Sequence, residues 1–247
     1  MAIQNVLRVI GSVMHIGIIM DGNGRWAADK GWKRAYGHKV GVKRVEECIR
    51  AAPSCGIKAL TLYAFSTENW KRPQPEIEVL FNLMRFQLNK KAQELKDANI
   101  KVRFIGSRCK LSSSLIQSME FIEKLTNTCN SLCINVAIDY GGRDEIVSIT
   151  KQIVDDIANG NLDVKDINEA LLDKKSELAL IGPPDLIIRT GGEKRLSNFL
   201  LWHSAYSELA FTDSMWPDFT ADKLIEQVEL FKKRERKYGN LLASKVS

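Results

Sequence analysis

The run Asp21-Gly22-Asn23-Gly24-Arg25-Trp26 brings a carboxylate, two glycines and a guanidinium together just after an apolar stretch. A carboxylate in that place stands at the end of a buried strand and is fixed by a rigid element. The glycines let the backbone turn tightly and aim its N–H groups at an anion. Arg25 adds a fork that matches phosphate oxygens. A carboxylate inside an anion site repels its own ligand unless a cation lies between them, so Asp21 points to Mg²⁺ bridging it to phosphate. The same residues would also make an ordinary Asp-Gly/Asn-Gly turn with a solvated arginine.

A strand ending in Asp is also how haloacid-dehalogenase-like phosphatases present a nucleophile. Those use Asp-x-Asp, the second acid protonating the leaving group, and here the third position is Asn23, which cannot. Three more clusters carry donors. Arg34 and His38 open a basic stretch with Lys33, Lys39, Lys43 and Arg44, where a helix N-terminus would bind phosphate or a solvated basic face would do nothing. Ser66, Thr67, Glu68, Asn69 and Trp70 precede Arg72, with Glu76 just beyond. Trp70 could pack over a ligand or simply pin its loop to the core. Arg189 and Arg195 flank a glycine turn, with Ser197 adding a hydroxyl; converging donors of this kind suit a phosphate. Glu208 is a second carboxylate that could reach the same rim.

These clusters share a position in the chain. Apolar runs at 15–20, 59–64, 102–105, 132–138, 185–189 and 208–211 read as strands, and most are separated by segments with helical spacing. The clearest lies at 75–98, where Ile77, Leu80, Phe81, Met84, Leu88 and Leu95 recur at three and four and Pro75 suits a first helical position. Alternation of strand and helix predicts an α/β fold with a mostly parallel sheet of about six strands surrounded by helices. Ligands of such sheets bind at the carboxyl ends of the strands, where the Asp21, Ser66, Tyr140-Gly-Gly-Arg143 and Arg189 loops would converge.

Bulk properties agree. The 247 residues show no repeat or Pro/Gly linker, which predicts one domain at 15–240 between tails at 1–14 and 241–247. A net charge of +6 suits an anionic partner, yet no nucleic-acid motif or basic-aromatic interleaving is present. Cys48, Cys55, Cys109, Cys129 and Cys133 form no CxxC pair and read as reduced core or near-core thiols of a cytoplasmic protein. The apolar N-terminal stretch is too interrupted to span a bilayer and has no cleavage-site pattern.

HIGIIMDGNGRW (15–26), AYGHKVG (35–41), TLYAFSTENWKRP (61–73), YGGR (140–143) and DLIIRTGGEKRLSNFLLWHSAYSE (185–208), in this order and spacing, resemble the characteristic blocks of the cis-prenyltransferase family. The resemblance runs from about residue 15 to Gly239. It implies a homodimer that repeatedly adds isopentenyl diphosphate to an allylic starter, farnesyl diphosphate, releasing pyrophosphate and leaving cis double bonds in a long, undecaprenyl-type product. By motif, Asp21, Ser66 and Asn69 would be catalytic. Gly22, Asn23, Gly24, Arg25, Trp26, Arg34 and His38 would surround the allylic pyrophosphate. Arg189, Arg195 and Ser197 would hold isopentenyl diphosphate; Ser66 and Asn69 would sit where the condensing ends meet, with Trp70 and Arg72 beside them, and Thr67 and Glu68 would also bind substrate. Mg²⁺ would sit at Asp21, with Glu208 near it. The apolar face of the 75–98 helix, with Ala64, Val102 and Ile134, would wall a dry tunnel, and the small Ala64 permits a long one. Transient contact with the inner membrane face would let so greasy a product leave.

Four positions depart from the family pattern: Asp139 stands for Asn before Tyr140, Ser107 for Asp after Gly106, His203 for Gln after Trp202, and Lys237 for Arg before Tyr238-Gly239. Lysine lacks the bidentate fork, which puts a cross-subunit arginine contact in question. A non-catalytic partner subunit of the family is the alternative reading, along with the phosphatase-like hydrolase. Retention of Asp21 and the arginines speaks against the subunit.

Overall fold

The computed structural model describes residues 14–234. Six strands form one parallel sheet: β1 (Met14–Ile19), β2 (Ile57–Ser66), β3 (Ile100–Ile105), β4 (Leu132–Tyr140), β5 (Leu186–Arg189) and β6 (Glu208–Phe211), in the order β3-β4-β2-β1-β5-β6. Seven α-helices accompany them among the described residues: α1 (Asn23–Asp29), α2 (Arg34–Ala51), α3 (Gln74–Asp97), α4 (Ser113–Leu125), α5 (Gly142–Ala158), α6 (Glu169–Lys175) and α7 (Ala221–Lys232). All six expected strands are present. Met14, assigned to a tail, is the first residue of β1. The expected tails and the Lys237-Tyr238-Gly239 position otherwise lie outside the described residues.

β1 sits in the middle and is buried along both faces. Ile16 and Ile18 pack with Leu60, Leu62, Ile134 and Ile188 on one face, against Cys48 of α2 and Leu224 and Val228 of α7. Ile19 and Ile187 lie on the other face with Phe199 and Leu200. A parallel sheet needs such two-sided strands because helices and loops cover both surfaces. The third cluster forms where α3 and α4 close over β3, around Phe65, Ile77, Val102, Phe104, Leu115 and Ile122. α4 starts with Ser112, whose hydroxyl accepts from the Leu115 N–H, a side-chain cap that satisfies one orphan donor of the first turn. α3 begins at Gln74, one residue before the expected start, with Pro75 inside its first turn.

The cysteines are all free; Cys48, Cys55 and Cys129 are buried and Cys133 is partly buried. Cys109 is exposed, which corrects its reading as a core or near-core thiol. Burial lifts the Cys48 thiol to about 12, so it is inert. No helix among the described residues is long and apolar enough to cross a membrane.

Candidate active site

The backbone of Asp21 is held by three hydrogen bonds with two other segments. Its backbone N–H donates to Thr190 Oγ1 (3.0 Å), the Thr190 hydroxyl donates back to its carbonyl (2.7 Å), and the Trp216 N–H donates to the same carbonyl (2.9 Å). Gly22 follows with φ +105°, a left-handed conformation in which any Cβ would also stand 2.9 Å from Met215. That turn aims the Asp21 carboxylate back at β5. There Oδ2 meets Arg189 Nη2 at 3.0 Å and Arg25 Nη2 at 3.2 Å. Partial burial alone would raise its pKa, but the Arg189 hydrogen bond and the two positive charges outweigh it and hold the carboxyl below its ordinary value.

Arg189, buried at the end of β5, is the busiest donor of the rim. Besides Asp21 it donates from Nη1 to the Arg195 carbonyl (2.6 Å) and to Ser197 Oγ (2.7 Å), while its Nε is buried without a partner. Ser197 and Asn198 both adopt positive φ (48° and 63°). This bend lets Asn198 bind Glu68 Oε1 (2.9 Å) and accept from the Arg143 N–H (2.9 Å), tying the β5 loop to those after β2 and β4.

A second cationic group forms around Glu76 at the start of α3. Arg34 Nε lies 3.2 Å from Oε2, while Arg72 Nη1 and His38 Nε2 lie 3.3 Å and 3.6 Å from Oε1. Gly24 makes room for this, since a Cβ there would stand 2.6 Å from Arg34 Cζ. Burial acts to raise the Glu76 pKa, but the hydrogen bond from Arg34 and the charges of Arg34, Arg72 and His38 bring it below the usual range. His38 is pushed down, first by burial and then by the Arg72 charge, against the opposing pull of Glu76; it is therefore largely neutral near pH 7.

Ser66 and Asn69 hold one another. The Ser66 hydroxyl caps the turn Thr67–Lys71 while Asn69 Oδ1 accepts the Ser66 N–H at 3.1 Å, a reciprocal box. Trp70 donates to Asp139 Oδ1 at 2.6 Å and packs edge-on against Phe65 and Phe81. Asp139 is buried with φ +48°, so the Asp that departs from the family pattern is employed as an acceptor for this indole.

Asp21, Gly22, Asn23, Gly24, Arg25, Arg34, His38, Ser66, Glu68, Asn69, Arg72, Arg189 and Ser197 all line one cavity of about 700 Å³. Its polar rim leads into an apolar trough formed by Val42 and Val45 of α2, Leu80, Leu83, Met84 and Leu88 of α3, and Leu62, Ala64 and Val136 of the sheet. Five expected site residues are not in its wall. Trp26 is buried edge-on to Trp32; Thr67 donates to Asp144; Trp70 pins its loop; Arg195 is exposed and pairs with Glu193. Glu208 pairs with Arg234 at 2.7 Å and opens β6, in register with Leu186, three residues before Arg189, so it sits away from Asp21 within the chain. Val102 and Ile134 belong to the packed core instead of the trough, as do Ile77, Phe81 and Leu95 of α3.

Sequence reasoning missed the hub role of Glu76, the support that Trp216 gives the Asp21 turn, and the α2 side of the trough. The last was detectable: His38, Gly41, Val42 and Val45 follow the spacing of one helix face. As for a metal, no group of three His, Cys, Asp or Glu side chains able to hold one exists among the described residues. One carboxylate between arginines instead fits the way Mg²⁺ is bound, through a single protein oxygen donor plus phosphate oxygens.

Comparison with known proteins bears on this arrangement. The family model Prenyltransf, described as "Putative undecaprenyl diphosphate synthase", matches residues 19–239. An isoprenyl transferase of Aquifex pyrophilus is 45% identical over 228 residues, 92% of this chain and 96% of its own length. The Escherichia coli K12 ditrans,polycis-undecaprenyl-diphosphate synthase, described as specific for (2E,6E)-farnesyl diphosphate, is 44% identical over 225 residues, 91% of this chain and 89% of its own. A crystal structure of lavandulyl diphosphate synthase from Lavandula x intermedia with dimethylallyl diphosphate superposes with a TM-score of 0.89 at 32% identity, covering 91% of this chain and 97% of that one.

Proposed function

This chain belongs to the undecaprenyl diphosphate synthase family of prenyltransferases, and we propose that it extends farnesyl diphosphate by repeated addition of isopentenyl diphosphate to a long cis-polyprenyl diphosphate of undecaprenyl type. The observation that carries the substrate assignment is a single cavity with a cationic rim and an apolar trough. Such a shape takes a diphosphate at one end and a hydrocarbon at the other.

In this reading, Arg25, Arg34, His38 and the Gly22-Asn23-Gly24 turn receive the allylic diphosphate, and Arg189 with Ser197 receives isopentenyl diphosphate, Arg195 reaching it from the exposed side. Two adjacent anion sites align two substrates, which removes much of the entropic barrier to their reaction. The allylic C–O bond breaks with its electron pair leaving on diphosphate. The isopentenyl double bond supplies the electrons of the new C–C bond, and the proton lost from the adjacent carbon passes to diphosphate. Arg25 and Arg34 stabilise the charge that grows on the leaving group. Asp21 would hold Mg²⁺, which adds Lewis-acid stabilisation of that charge when bound. Ser66 and Asn69, locked to each other, shape the wall where the reacting ends meet. The trough excludes water from the allylic centre.

The reading includes a homodimer, in keeping with β6 as an edge strand on which Leu209 is exposed; an uncovered edge calls for a partner or a cover. It also includes a cytoplasmic setting, which the five free thiols favour, with brief contact at the membrane face for product release. Incubation with farnesyl diphosphate, labelled isopentenyl diphosphate and Mg²⁺, followed by lipid extraction, tests the function. Label in a chain longer than the starter is expected; its complete absence would refute the proposal.

A further inference from the structure

The trough runs between α2 and α3, and its end is marked by an ion pair. On α2 the lining residues proceed through His38, Gly41, Val42 and Val45, and on α3 through Leu80, Met84, Gln87 and Leu88. The residue after Val45 is Glu46, and the next turn of α3 after Gln87 and Leu88 brings Lys91. Lys91 Nζ lies 3.3 Å from Glu46 Oε2, crossing from one helix to the other just past the last lining residues. Both side chains are about three-quarters covered, 23% and 27% exposed. Arg50 supports Glu46 at 3.9 Å and Glu94 supports Lys91 at 2.7 Å, each from its own helix. Among the described residues the other ion pair between α2 and α3 is that of Arg34 with Glu76 at the rim, where His38 Nε2 also lies 3.6 Å from the same carboxylate. The two helices are thus tied at the mouth and at the far end, with the cavity between. One turn before the far tie, Gln87 Oε1 is buried without a hydrogen-bond partner, a polar break in an otherwise apolar wall.

This arrangement bears on product length, and the point rests on the function proposed above. A cavity of about 700 Å³ is of the size filled by a drug-sized molecule. It suits a starter and one added unit, whereas a chain several times longer does not fit between α2 and α3 as they stand. The growing tail advances toward Glu46–Lys91 and must part the helices there to go on. α3 packs more closely on α4 than on α2, so the seam between α2 and α3 is the one that can open. We propose that the Glu46–Lys91 ion pair is a clasp that sets product length by resisting this separation.

Lys91→Met and Glu46→Gln each remove the cross-helix pair without adding bulk to the trough. Glu94→Gln removes the other partner of Lys91, which does not bridge the helices, and serves as the control. Products made from farnesyl diphosphate, isopentenyl diphosphate and Mg²⁺ are sized by mass spectrometry, and the rate of the first condensation is measured separately. Lys91→Met and Glu46→Gln are expected to shift the distribution upward by one or more isoprene units. Their first condensation should stay within about twofold of the unaltered protein, because the pair is remote from Asp21. Glu94→Gln should leave the distribution in place. Unchanged lengths in both clasp variants, or an equal shift in Glu94→Gln, would overturn the clasp while leaving the transferase reading intact. Absence of any elongation by the unaltered protein would instead remove the transferase reading, and the clasp with it.

Discussion

Ile16, Ile18, Leu60 and Leu62 lie on one face of the sheet, and beyond Leu62 the packing stops short and leaves the trough. His15 and Thr61 occupy alternate positions of the same strands, facing the other way, with Asn135 of β4 beside Thr61, and all three are buried yet hydrogen-bonded. There Asn135 Nδ2 donates to Thr61 Oγ1 (3.1 Å), the Thr61 hydroxyl faces His15 Nε2 (2.7 Å), and His15 Nδ1 lies 3.0 Å from the Gly182 carbonyl. One tautomer satisfies the whole chain, a neutral His15 with its proton on Nδ1. Nearby, Glu145 receives the Tyr140 hydroxyl (2.5 Å) and His203 Nε2 (3.1 Å), both buried, and the partly buried Glu177 N–H (3.0 Å). His203 stands where the family pattern has Gln, and its ring occupies that place as a partner for Glu145. One face leaves apolar surface unfilled to admit a hydrocarbon; the other uses polar groups to fix a single packing. Activity should therefore depend on the rim and trough, and stability on the buried network.

The largest expected effect tests the first half of that contrast. Asp21→Ala removes the carboxylate that pairs with both Arg25 and Arg189, and turnover should fall by about 10³-fold, the scale of a lost charge-stabilising group, while the fold persists with a lowered thermal midpoint because buried Arg189 loses its carboxylate partner. Near-normal turnover in this variant would break the assignment of Asp21. On the network side, Glu145→Ala strips two buried donors and one partly buried donor of their acceptor and should destabilise by about 3 kcal/mol, read as a lower urea midpoint. A midpoint equal to that of the unaltered protein would show the network to be dispensable.

Acid should separate the faces further. Burial brings the His15 pKa down to about 4 from 6.5. In the unfolded chain His15 takes up a proton below 6.5, and in the fold it does not until about 4, so stability is fully present above 6.5 and declines as pH falls between these values. The decline attributable to His15 approaches about 3 kcal/mol. His38, also depressed, contributes in the same direction just below 6.5. Urea midpoints measured from pH 7 to pH 4.5 should fall, and His15→Gln should flatten the curve; an unchanged slope in that variant would remove His15 as the cause. The smallest effect belongs to Ser66→Ala, which loses a cap worth about 1 kcal/mol. Because the same turn carries Asn69 and Arg72 into the cavity wall, it should lower activity more than stability. Equal losses would mark Ser66 as a cap alone.

Much of the site could be read along the chain because its parts are local. Asp21, Ser66 and Arg189 each follow or end a strand, and a strand's apolar run and its terminal loop are visible in a few consecutive residues. What failed was pairing between distant segments. Trp70 in a polar loop looked free to cover a ligand, but its indole is taken by Asp139, 69 positions away. Glu208 looked able to join Asp21, yet the parallel register of β5 and β6 sets it three residues back from the rim.

The amino-acid order alone determined which elements form and which loops carry charge, since apolar period and glycine placement act over a few residues. Only the tertiary structure decided that Arg189 would close on Asp21, 168 positions apart, that Glu76 would gather Arg34, His38 and Arg72, and that α2 and α3 would leave space between them. Those outcomes depend on how helices settle on a sheet, where burial and close approach choose among partners that the chain lists with no indication of distance.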